Sequence, residues 1–550
     1  MKSNKILWLV SLLMMLSLVL AACAGDGSGE PEEESDNNEE TGSEDTGSEE
    51  ESENEGDSGS ASGGDLVIAI PSDVVSMSTH GSNDVPSSNV QENIYETLTD
   101  LDENQEVVPG LAEEWEEVDE TTWDFHLREG VKFHDGAELT AEVVKQNFDR
   151  LVDEEIASPR AFLFEAVESV EVVDDYTVRI NLKYPYAPLL ANLAHSGTAI
   201  MSPNIIEEDY AQMEEGGDVD AYINQNPVGT GPFVYESWEP GGQVVLSRNE
   251  NYWGEPAKLD TVTFKVVSEQ STRIAELETD ASHVADAIGP NNVSRVENTE
   301  GMSVLSSPSV SLSYVSFNVE KEPFDDPKVR QAISMAVNKE EIIQGIYNGA
   351  GIPAIGPLAP PVFGYDESVS GLEYDPERAK ELLAEAGYED GFSTTIWTND
   401  NEQRVDTAVA IQNQLSEIGI DVEIEELEWG AYLERTANGE HDMFILGWST
   451  VTSDADYGMY PLFHSSQHGS PGNRSFLSND EIDSILDEAR RETDPEARKE
   501  LYSQAQEMLV EIAPMIYIHH QEYLLGVDET VQDFGIDAQG IYQIKDAYIE

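Results

Sequence analysis

The sequence predicts a mixed α/β protein with two or more lobes. About 485 residues, from Asp65 to Glu550, have the composition of a globular chain, which is more than one hydrophobic core usually serves. Short apolar or alternating segments are interleaved here with segments whose apolar residues recur at helical spacing. The strand candidates are residues 66–70, 177–182, 262–267 and 422–427.

Three helices are predicted to begin at an aspartate followed by proline. The aspartate caps the helix, and proline suits the first helical position because its missing N–H costs nothing there. The three dipeptides are Asp326-Pro327, Asp375-Pro376 and Asp494-Pro495. The second helix is expected to end at Gly387, a suitable left-handed terminator. A further helix is expected after Arg404, ending at Gly419 before the strand at Val422.

The first residues predict export. Lys2 and Lys5 precede an apolar run, residues 6–20, which is too short to span a bilayer comfortably and is followed by small residues. Leu20-Ala21-Ala22-Cys23 resembles a bacterial lipobox, in which the cysteine receives a diacylglyceryl group and becomes the mature N-terminus. We therefore expect a signal peptide over 1–22 and a lipid anchor at Cys23 on the extracytoplasmic face of the cell membrane. The alternative is an ordinary buried cysteine in a hydrophobic segment.

The segment from Cys23 to residue 64 is predicted to be a disordered acidic tether. It consists almost entirely of Gly, Ser, Glu, Asp, Asn and Thr, and it has no Lys, Arg or aromatic residue. Such a segment cannot bury enough apolar surface to offset its ordering entropy. Gly56-Asp57-Ser58-Gly59 lies in it and resembles the surroundings of a serine protease nucleophile, but a disordered tether offers no catalytic site.

The charge of the chain excludes some partners. The net charge is −83, and residues 1–64 hold only two lysines and sixteen acidic residues, so about −69 remains on the rest. Nucleic acid and anionic lipid are disfavoured because phosphate binding requires clustered Lys and Arg. This composition favours a source that lives at high salt, high pH or both.

No enzyme motif is found. The sequence contains no Gly-x-Ser-x-Gly elbow, no phosphate-binding Gly-x-x-x-x-Gly-Lys-Ser/Thr loop and no His-Glu-x-x-His pair. His464 and His468 have helical spacing but lie in a Ser/Gly/Pro-rich stretch, and the adjacent His519 and His520 would face opposite sides of a strand. We therefore expect a protein without catalytic residues, metal or cofactor.

A series of motifs runs through the body of the chain. The longest comprises residues 123–136 and continues through 139–144. The others are 93–98, 109–112, 226–233, 251–254, 317–318, 323–324, 329–332 and the helix at Asp375. Together they resemble the family 5 solute-binding proteins of ABC importers, which capture dipeptides, oligopeptides, nickel chelates or glutathione. The glutathione- and peptide-binding branch is the most similar in appearance.

This resemblance implies a two-lobed periplasmic-binding-protein-like fold of class II, the large peptide-binding type. The first lobe is expected over 65–308 with an extra subdomain at about 101–227, the second over 309–514, and the return to the first lobe over 515–550. The ligand is expected between the lobes, clamped by hinge closure. The expected partners are a permease and an ATPase subunit, and the protein itself is expected to be a monomer.

The resemblance also implies ligand-binding residues after Gly447-Trp448, where an acidic residue would bind the amino end of a peptide. A desolvated ammonium requires a carboxylate partner. Asp454 and Asp456 are the two candidates, and the resemblance favours Asp456; such loop carboxylates often cap turns instead. The acid comes about three residues later than in the common dipeptide pattern.

The other end of a peptide carries a carboxylate, for which a guanidinium is the suitable partner. Arg404 lies near the position where dipeptide-binding relatives have such an arginine, although a surface ion pair is an equal alternative. Trp397, Trp448 and Trp429 are candidates for the pocket wall, with Trp429 last because a strand-to-helix turn favours a core position. Other solutes, such as a nickel chelate or glycoside, stay open, and an extracellular hydrolase is a remote alternative.

Overall fold

The computed structural model describes residues 63–102, 104–470 and 472–550. The predicted signal peptide, Cys23 and the tether up to residue 62 lie outside the described residues. The strands are β1 (Asp65–Ile70), β2 (Thr99–Leu101), β3 (Val107–Pro109), β4 (Ala112–Asp119), β5 (Thr122–Leu127), β6 (Val167–Asp174), β7 (Thr177–Leu182), β8 (Phe233–Glu239), β9 (Gln243–Arg248), β10 (Thr261–Val266), β11 (Val284–Ala285), β12 (Met302–Pro308), β13 (Ser311–Phe317), β14 (Ile352–Pro353), β15 (Phe392–Thr398), β16 (Ile420–Glu426), β17 (Met443–Ser449), β18 (Met515–His520), β19 (Glu522–Asp528), β20 (Val531–Gln532), β21 (Gly535–Ile536), β22 (Tyr542–Gln543) and β23 (Tyr548–Ile549).

Helices cover the faces of the sheets. They are α1 (Val85–Ile94), α2 (Ala141–Leu151), α3 (Leu189–Leu193), α4 (Pro203–Glu214), α5 (Gln270–Leu277), α6 (Val293–Glu297), α7 (Pro327–Ala336), α8 (Lys339–Ile346), α9 (Pro376–Glu385), α10 (Glu402–Ser416), α11 (Trp429–Ala437), α12 (Ala455–Phe463), α13 (Asp480–Ala489) and α14 (Pro495–Ile512). No helix among the described residues combines the length and the apolar character that crossing a membrane requires.

The first lobe is built on a sheet with the strand order β12-β19-β11-β1-β10-β9-β8. β1 lies between β10 and β11 and runs parallel to both. Leu66 and Ile68 of β1 are fully buried in the same core as Val262 and Phe264 of β10. The alternation of apolar side chains that predicted these two strands therefore corresponds to one buried face of the sheet.

A smaller antiparallel sheet forms a second layer of the first lobe, with the strand order β4-β5-β7-β6. Phe125 of β5, Val178 of β7 and Phe148 of α2 are buried together in its core. This sheet lies within the stretch for which an extra subdomain was expected.

The second lobe is built on a sheet with the order β14-β18-β13-β17-β15-β16. Both of its faces are buried. In β13, Tyr314 contributes to the core on one face and Val315 to the core on the other, and Phe444 and Ile445 of β17 divide in the same way. A strand that is covered on both faces reads as a continuous apolar run.

Two strand pairs connect the lobes. β12 of the first sheet leads directly into β13 of the second, and β18 of the second leads into β19 of the first. At the crossing, the Ser309 N–H and hydroxyl both donate to the Gln521 carbonyl oxygen, at 3.0 and 2.8 Å. The predicted return at 515 is therefore too early: residues 515–520 pair with β13, and the chain rejoins the first sheet at Glu522.

The predicted strand and helix starts are confirmed. Each of the four strand candidates overlaps an observed strand, and the three predicted aspartates cap α7, α9 and α14 with their side chains. Gly387 follows α9 with a φ of +89°. The position of Arg404 differs from the prediction. Because Asn401 is the cap of α10, Arg404 lies inside the first turn of that helix and not ahead of it.

Candidate ligand-binding site

The strand directions place the candidate site at one edge of the second sheet. β15 runs parallel to both β16 and β17, so these strands end at the same edge of the second sheet. Ser449, at the end of β17, pairs with Ser311, which is the first residue of β13 after the crossing. This edge therefore adjoins the connection to the first lobe. In open α/β sheets, ligands bind outside the carboxyl ends of the strands.

Arg404 lies at this edge because α10 begins just after β15. Its backbone N–H donates to the Asn401 side chain at 3.0 Å, and its Nη1 donates to Asn399 Oδ1 at 3.0 Å. A Cβ built on Gly447 would lie 3.8 Å from Nη2, so the guanidinium is next to β17. None of the ion pairs among the described residues involves Arg404, although the chain has 111 acidic residues.

The three tryptophan candidates lie in different environments. Trp429 is 44% exposed, and the Arg404 guanidinium lies 5.6 Å from its ring centroid. Trp397 is only 4% exposed and packs in the core, with the Arg435 guanidinium 4.3 Å from its ring. The expectation that Trp429 is the most core-like of the three is therefore wrong. Trp429 is the first residue of α11, and that position leaves its ring at the surface of the carboxyl edge.

Trp448 is half-buried near the end of β17. Its indole Nε1 donates to the backbone carbonyl of Tyr457 at 2.9 Å, and the two rings are 5.3 Å apart. This contact fixes the indole at the edge where Arg404 and Trp429 lie. The two exposed or half-buried tryptophans and the guanidinium therefore come from three elements that all meet at the carboxyl edge.

Asp454 is buried and already has a cationic partner. Arg498 donates to both of its oxygens, from Nη1 to Oδ2 at 2.6 Å and from Nη2 to Oδ1 at 2.7 Å. Asp454 also caps α12 by accepting from the Asp456 N–H at 2.8 Å. Arg498 extends the network to the Ala489 carbonyl and the Tyr502 hydroxyl. Both oxygens of this carboxylate thus already accept hydrogen bonds from groups of its own lobe.

Asp456 is also buried and lies against the first lobe. Its Oδ1 is 2.9 Å from Arg490 Nε, and its Oδ2 accepts from the Tyr186 hydroxyl at 3.4 Å. Burial raises the pKa of Asp456 to about 6, with Asp454 adding to the rise and Arg490 opposing it. Desolvation therefore outweighs the attraction of the arginine at this carboxyl group.

The contacts around Asp456 join the two lobes. The Ala187 N–H donates to the Arg490 carbonyl at 2.9 Å, and the Arg490 guanidinium lies 5.3 Å from the Tyr186 ring. One residue after Asp456, the Tyr457 ring stacks on Phe162 of the first lobe with centroids 5.3 Å apart. Residues 453–457 include the two candidates for binding the amino end of a peptide. In the structure, these residues carry contacts that join the two lobes.

Sequence reasoning missed Arg490, Arg498 and Tyr186. Arg498 lies 44 positions from Asp454 and Tyr186 lies 270 positions from Asp456, so spacing offers no signal for either pair. The one usable signal in the sequence is that basic residues are scarce. The chain has only 28 lysines and arginines, and an arginine on the buried side of a helix in such a chain requires a partner.

A cavity of about 600 Å³ lies between the lobes on the side of these contacts. It is lined from the first lobe by Gln105 and Trp123 and from the second by Phe363 and Ser453. Gln105 Oε1 accepts from the Ser453 hydroxyl at 2.5 Å across the opening. The lobes therefore meet along a rim of contacts and leave space between them.

The histidine pairs singled out in the sequence lie in structural surroundings. Among the described residues, no group of three or more His, Cys, Asp or Glu side chains could hold a metal ion. His464 caps a short 3-10 turn, and His519 and His520 point to opposite faces of β18, where both are buried. Gly229 has a structural role, because a Cβ there would lie 2.0 Å from the Ile94 carbonyl oxygen.

Comparison with known proteins agrees with the fold. The family model for bacterial extracellular solute-binding proteins, family 5 Middle, matches residues 106–470. The glutathione-binding protein GsiB of Salmonella typhi is 34% identical over 494 residues, covering 88% of this chain and 94% of the relative. The dipeptide-binding protein of Escherichia coli (strain K12) is 33% identical over 470 residues, covering 81% and 86%.

Solved structures match over nearly the same length. HbpA2 from Haemophilus parasuis has a TM-score of 0.81 at 29% identity, covering 88% of this chain and all of that one. The periplasmic binding protein DppA from Helicobacter pylori, in complex with the peptide STSA, has a TM-score of 0.74 at 33% identity, covering 89% and 99%. The two-lobed fold is thus that of periplasmic peptide-binding proteins, and this chain belongs to the bacterial extracellular solute-binding proteins of family 5.

Proposed function

We propose that this protein captures a peptide or glutathione between its two lobes and delivers it to the permease of an ABC importer. The relatives named for glutathione and dipeptide binding support this ligand class. We also propose that a lipid on Cys23 holds the protein at the outer face of the cell membrane. The support for this anchor is the lipobox-like sequence ahead of Cys23.

The observation that carries the proposal is the state of Arg404. The Arg404 guanidinium is half-buried and donates to the Asn399 amide, but among the described residues it has no carboxylate partner, which is unusual in so acidic a chain. At the carboxyl ends of the parallel strands β16, β15 and β17, its donors suit the carboxylate of a peptide-like ligand. The exposed ring of Trp429 supplies an apolar wall 5.6 Å from the guanidinium, and Trp448 is half-buried near the end of β17.

We propose a structural role for Asp454 and Asp456 in place of ammonium recognition. Each carboxylate has an arginine within 2.9 Å, and a second cation would have to displace it. Trp397 is buried and is not proposed as a ligand contact. Among the sequence-predicted residues, Arg404, Trp429 and Trp448 remain the proposed ligand contacts.

Calorimetric titration tests the proposal directly. The full chain, with Cys23→Ser to prevent lipidation, is stripped of ligand by unfolding and refolding. It is then titrated with glutathione, a di- to pentapeptide series, nickel-histidine and a glycoside. We expect binding to peptides or glutathione, and a loss of about 10-fold or more in Arg404→Ala, because a charge-assisted hydrogen bond contributes about 1.5–3 kcal/mol.

A ligand lacking the carboxylate identifies the contact. For the C-terminal amide of the tightest peptide, wild type and Arg404→Ala should differ little, because the group that Arg404 binds is already absent. Arg378→Ala is the matched control, since Arg378 pairs with Glu381 and Glu385 on the surface of α9. Binding to nickel-histidine or the glycoside alone would contradict the peptide proposal. An equal loss for acid and amide would contradict the role of Arg404.

A further inference from the structure

Tyr457 contacts both the first lobe and Trp448, one of the proposed ligand contacts. Its ring stacks on Phe162 of the first lobe, with centroids 5.3 Å apart and an interplanar angle of 26°. Its ring is also 5.3 Å from that of Trp448, whose Nε1 donates to the Tyr457 carbonyl. One residue therefore contacts both the opposite lobe and the indole beside the proposed ligand.

The contacts with the first lobe are concentrated on the first turn of α12. Asp456 precedes Tyr457 and accepts from the Tyr186 hydroxyl, while Arg490 pairs with Asp456 and accepts from the Ala187 N–H. Asp454 caps the same turn and is held by Arg498. The first turn of α12 is thus held by arginines of its own lobe and contacts the first lobe.

Opening of the lobes affects the two contacts of Tyr457 differently. The contact with Trp448 lies within the second lobe, so opening of the lobes can preserve it. The contact with Phe162 crosses the cleft, and separation of the lobes must remove it. When the lobes open, the Tyr457 ring therefore keeps Trp448 as a neighbour but loses the stacking partner that restrains it from the first lobe.

We propose that Tyr457 is a positioning residue that couples closure of the lobes to the orientation of Trp448. Closure places Phe162 on the Tyr457 ring, and this ring holds the indole in the orientation that completes the ligand wall. The ligand-binding part of this inference rests on the proposed function. The coupling of Phe162, Tyr457 and Trp448 does not.

The key variant is Phe162→Ala, which removes the contact across the cleft and leaves Tyr457 and Trp448 intact. Phe162→Tyr retains the ring and is the conservative control. Tyr457→Phe tests the tyrosine hydroxyl, which the stacking does not use and for which burial raises the pKa to about 12. Tyr457→Leu removes the ring that faces both partners.

Two measurements without ligand decide the coupling. Spin labels on Val173→Cys and Ser484→Cys, both exposed and in different lobes, report the distance between the lobes in the full chain with Cys23→Ser. Fluorine NMR of 5-fluorotryptophan-labelled protein reports the environment of Trp448, whose resonance is the one missing in Trp448→Phe. The only natural cysteine is Cys23, so the two introduced labels are unambiguous.

We expect Phe162→Ala to add a longer distance between the lobes and to shift or broaden the Trp448 resonance. Phe162→Tyr and Tyr457→Phe should resemble wild type in both measurements, and Tyr457→Leu should resemble Phe162→Ala. For the tightest ligand, Phe162→Ala should weaken binding by about 2- to 10-fold through faster dissociation, as expected for the loss of one aromatic pair.

The outcomes separate the two proposals. A longer distance in Phe162→Ala with an unchanged Trp448 resonance would overturn the coupling, even if ligand binding weakens. An unchanged distance and resonance would overturn it as well. Absence of binding to any peptide or glutathione by the wild type would overturn the proposed function. The distance and the resonance would still decide whether Tyr457 couples closure to Trp448.

Discussion

At the scale of single residues, the buried pair Asp454–Arg498 is the clearest feature that the sequence did not indicate. The side chains of both residues are only 6% exposed and bond through two parallel N–H···O contacts. Two charges in a buried site are stable only as a pair, because each alone would keep its full desolvation penalty. We therefore expect this pair to maintain the second lobe and not to bind ligand.

Replacing one member of this pair should be strongly destabilising. Arg498→Met leaves the Asp454 carboxylate buried without its partner, and we expect a loss of about 3–5 kcal/mol in the free energy of unfolding. The double variant Asp454→Asn/Arg498→Met removes both charges and keeps a side-chain cap for α12, so most of the loss should be recovered. Urea denaturation of the four proteins of this cycle measures the coupling.

The neighbouring Lys499 provides the control. It pairs with Glu496 at the surface, where an ion pair contributes about 0–1 kcal/mol, so Lys499→Met should change stability little. If Asp454 binds the ligand instead, the expected results are the opposite. Asp454→Asn would then abolish ligand binding, and the double variant would have the same stability as the single variants. That pattern would restore the interpretation drawn from the sequence.

At the scale of helices and strands, residues close in the sequence determine where most helices begin and end. Asp494 accepts from the N–H groups of Glu496 and Ala497 at the start of α14, at 3.1 and 2.9 Å. We expect Asp494→Ala to lower the free energy of unfolding by about 1 kcal/mol, because two N–H groups lose their acceptor. Asp494→Ser should lose less.

The charge-matched control lies on the same helix. Glu500 is exposed in the second turn of α14, so Glu500→Ala removes one negative charge without removing a cap. Urea denaturation should therefore distinguish Asp494→Ala from Glu500→Ala. Equal effects of the two substitutions would show that the helix responds to charge and not to the capping hydrogen bonds.

Caps and alternating strands could be predicted from the sequence because the residues that determine them are adjacent in the chain. The strand at 177–182 and the cap at Asp375 are examples. The return of the chain to the first sheet could not be located, because β18 and β19 are both apolar and only their partners distinguish them. The exposure of Trp429 likewise depends on packing around the start of α11.

At the scale of the whole molecule, the candidate site depends on the two strand connections. The first sheet and the second sheet share no strand, and Ser309 and Gln521 join the two crossings by hydrogen bonds. A pair of short connections permits the lobes to rotate about the crossing while each sheet stays intact. The resemblance to a known family predicted the cleft, whereas the residues that meet across it, such as Phe162 and Tyr457, required the structure.

Charge acts on the molecule as a whole. About −69 of the net charge belongs to residues 65–550, while arginines such as Arg150, Arg490 and Arg498 are buried against carboxylates. The exposed surface is therefore left with an excess of like charges that repel each other in the folded state. The range of this repulsion is about 10 Å at 0.1 M salt and about 3 Å at 1 M.

The melting temperature should accordingly rise by several degrees as NaCl is increased from about 0.05 M to 1 M, and it should level off above that concentration, because screening is then nearly complete. Sucrose is the control, since it stabilises folded proteins by exclusion from their surface and does not screen charge. Differential scanning calorimetry of the full chain with Cys23→Ser measures both series. A flat or falling melting temperature in NaCl would contradict the role of self-repulsion. A rise that continues linearly beyond 1 M, as in sucrose, would assign the effect to solute exclusion instead.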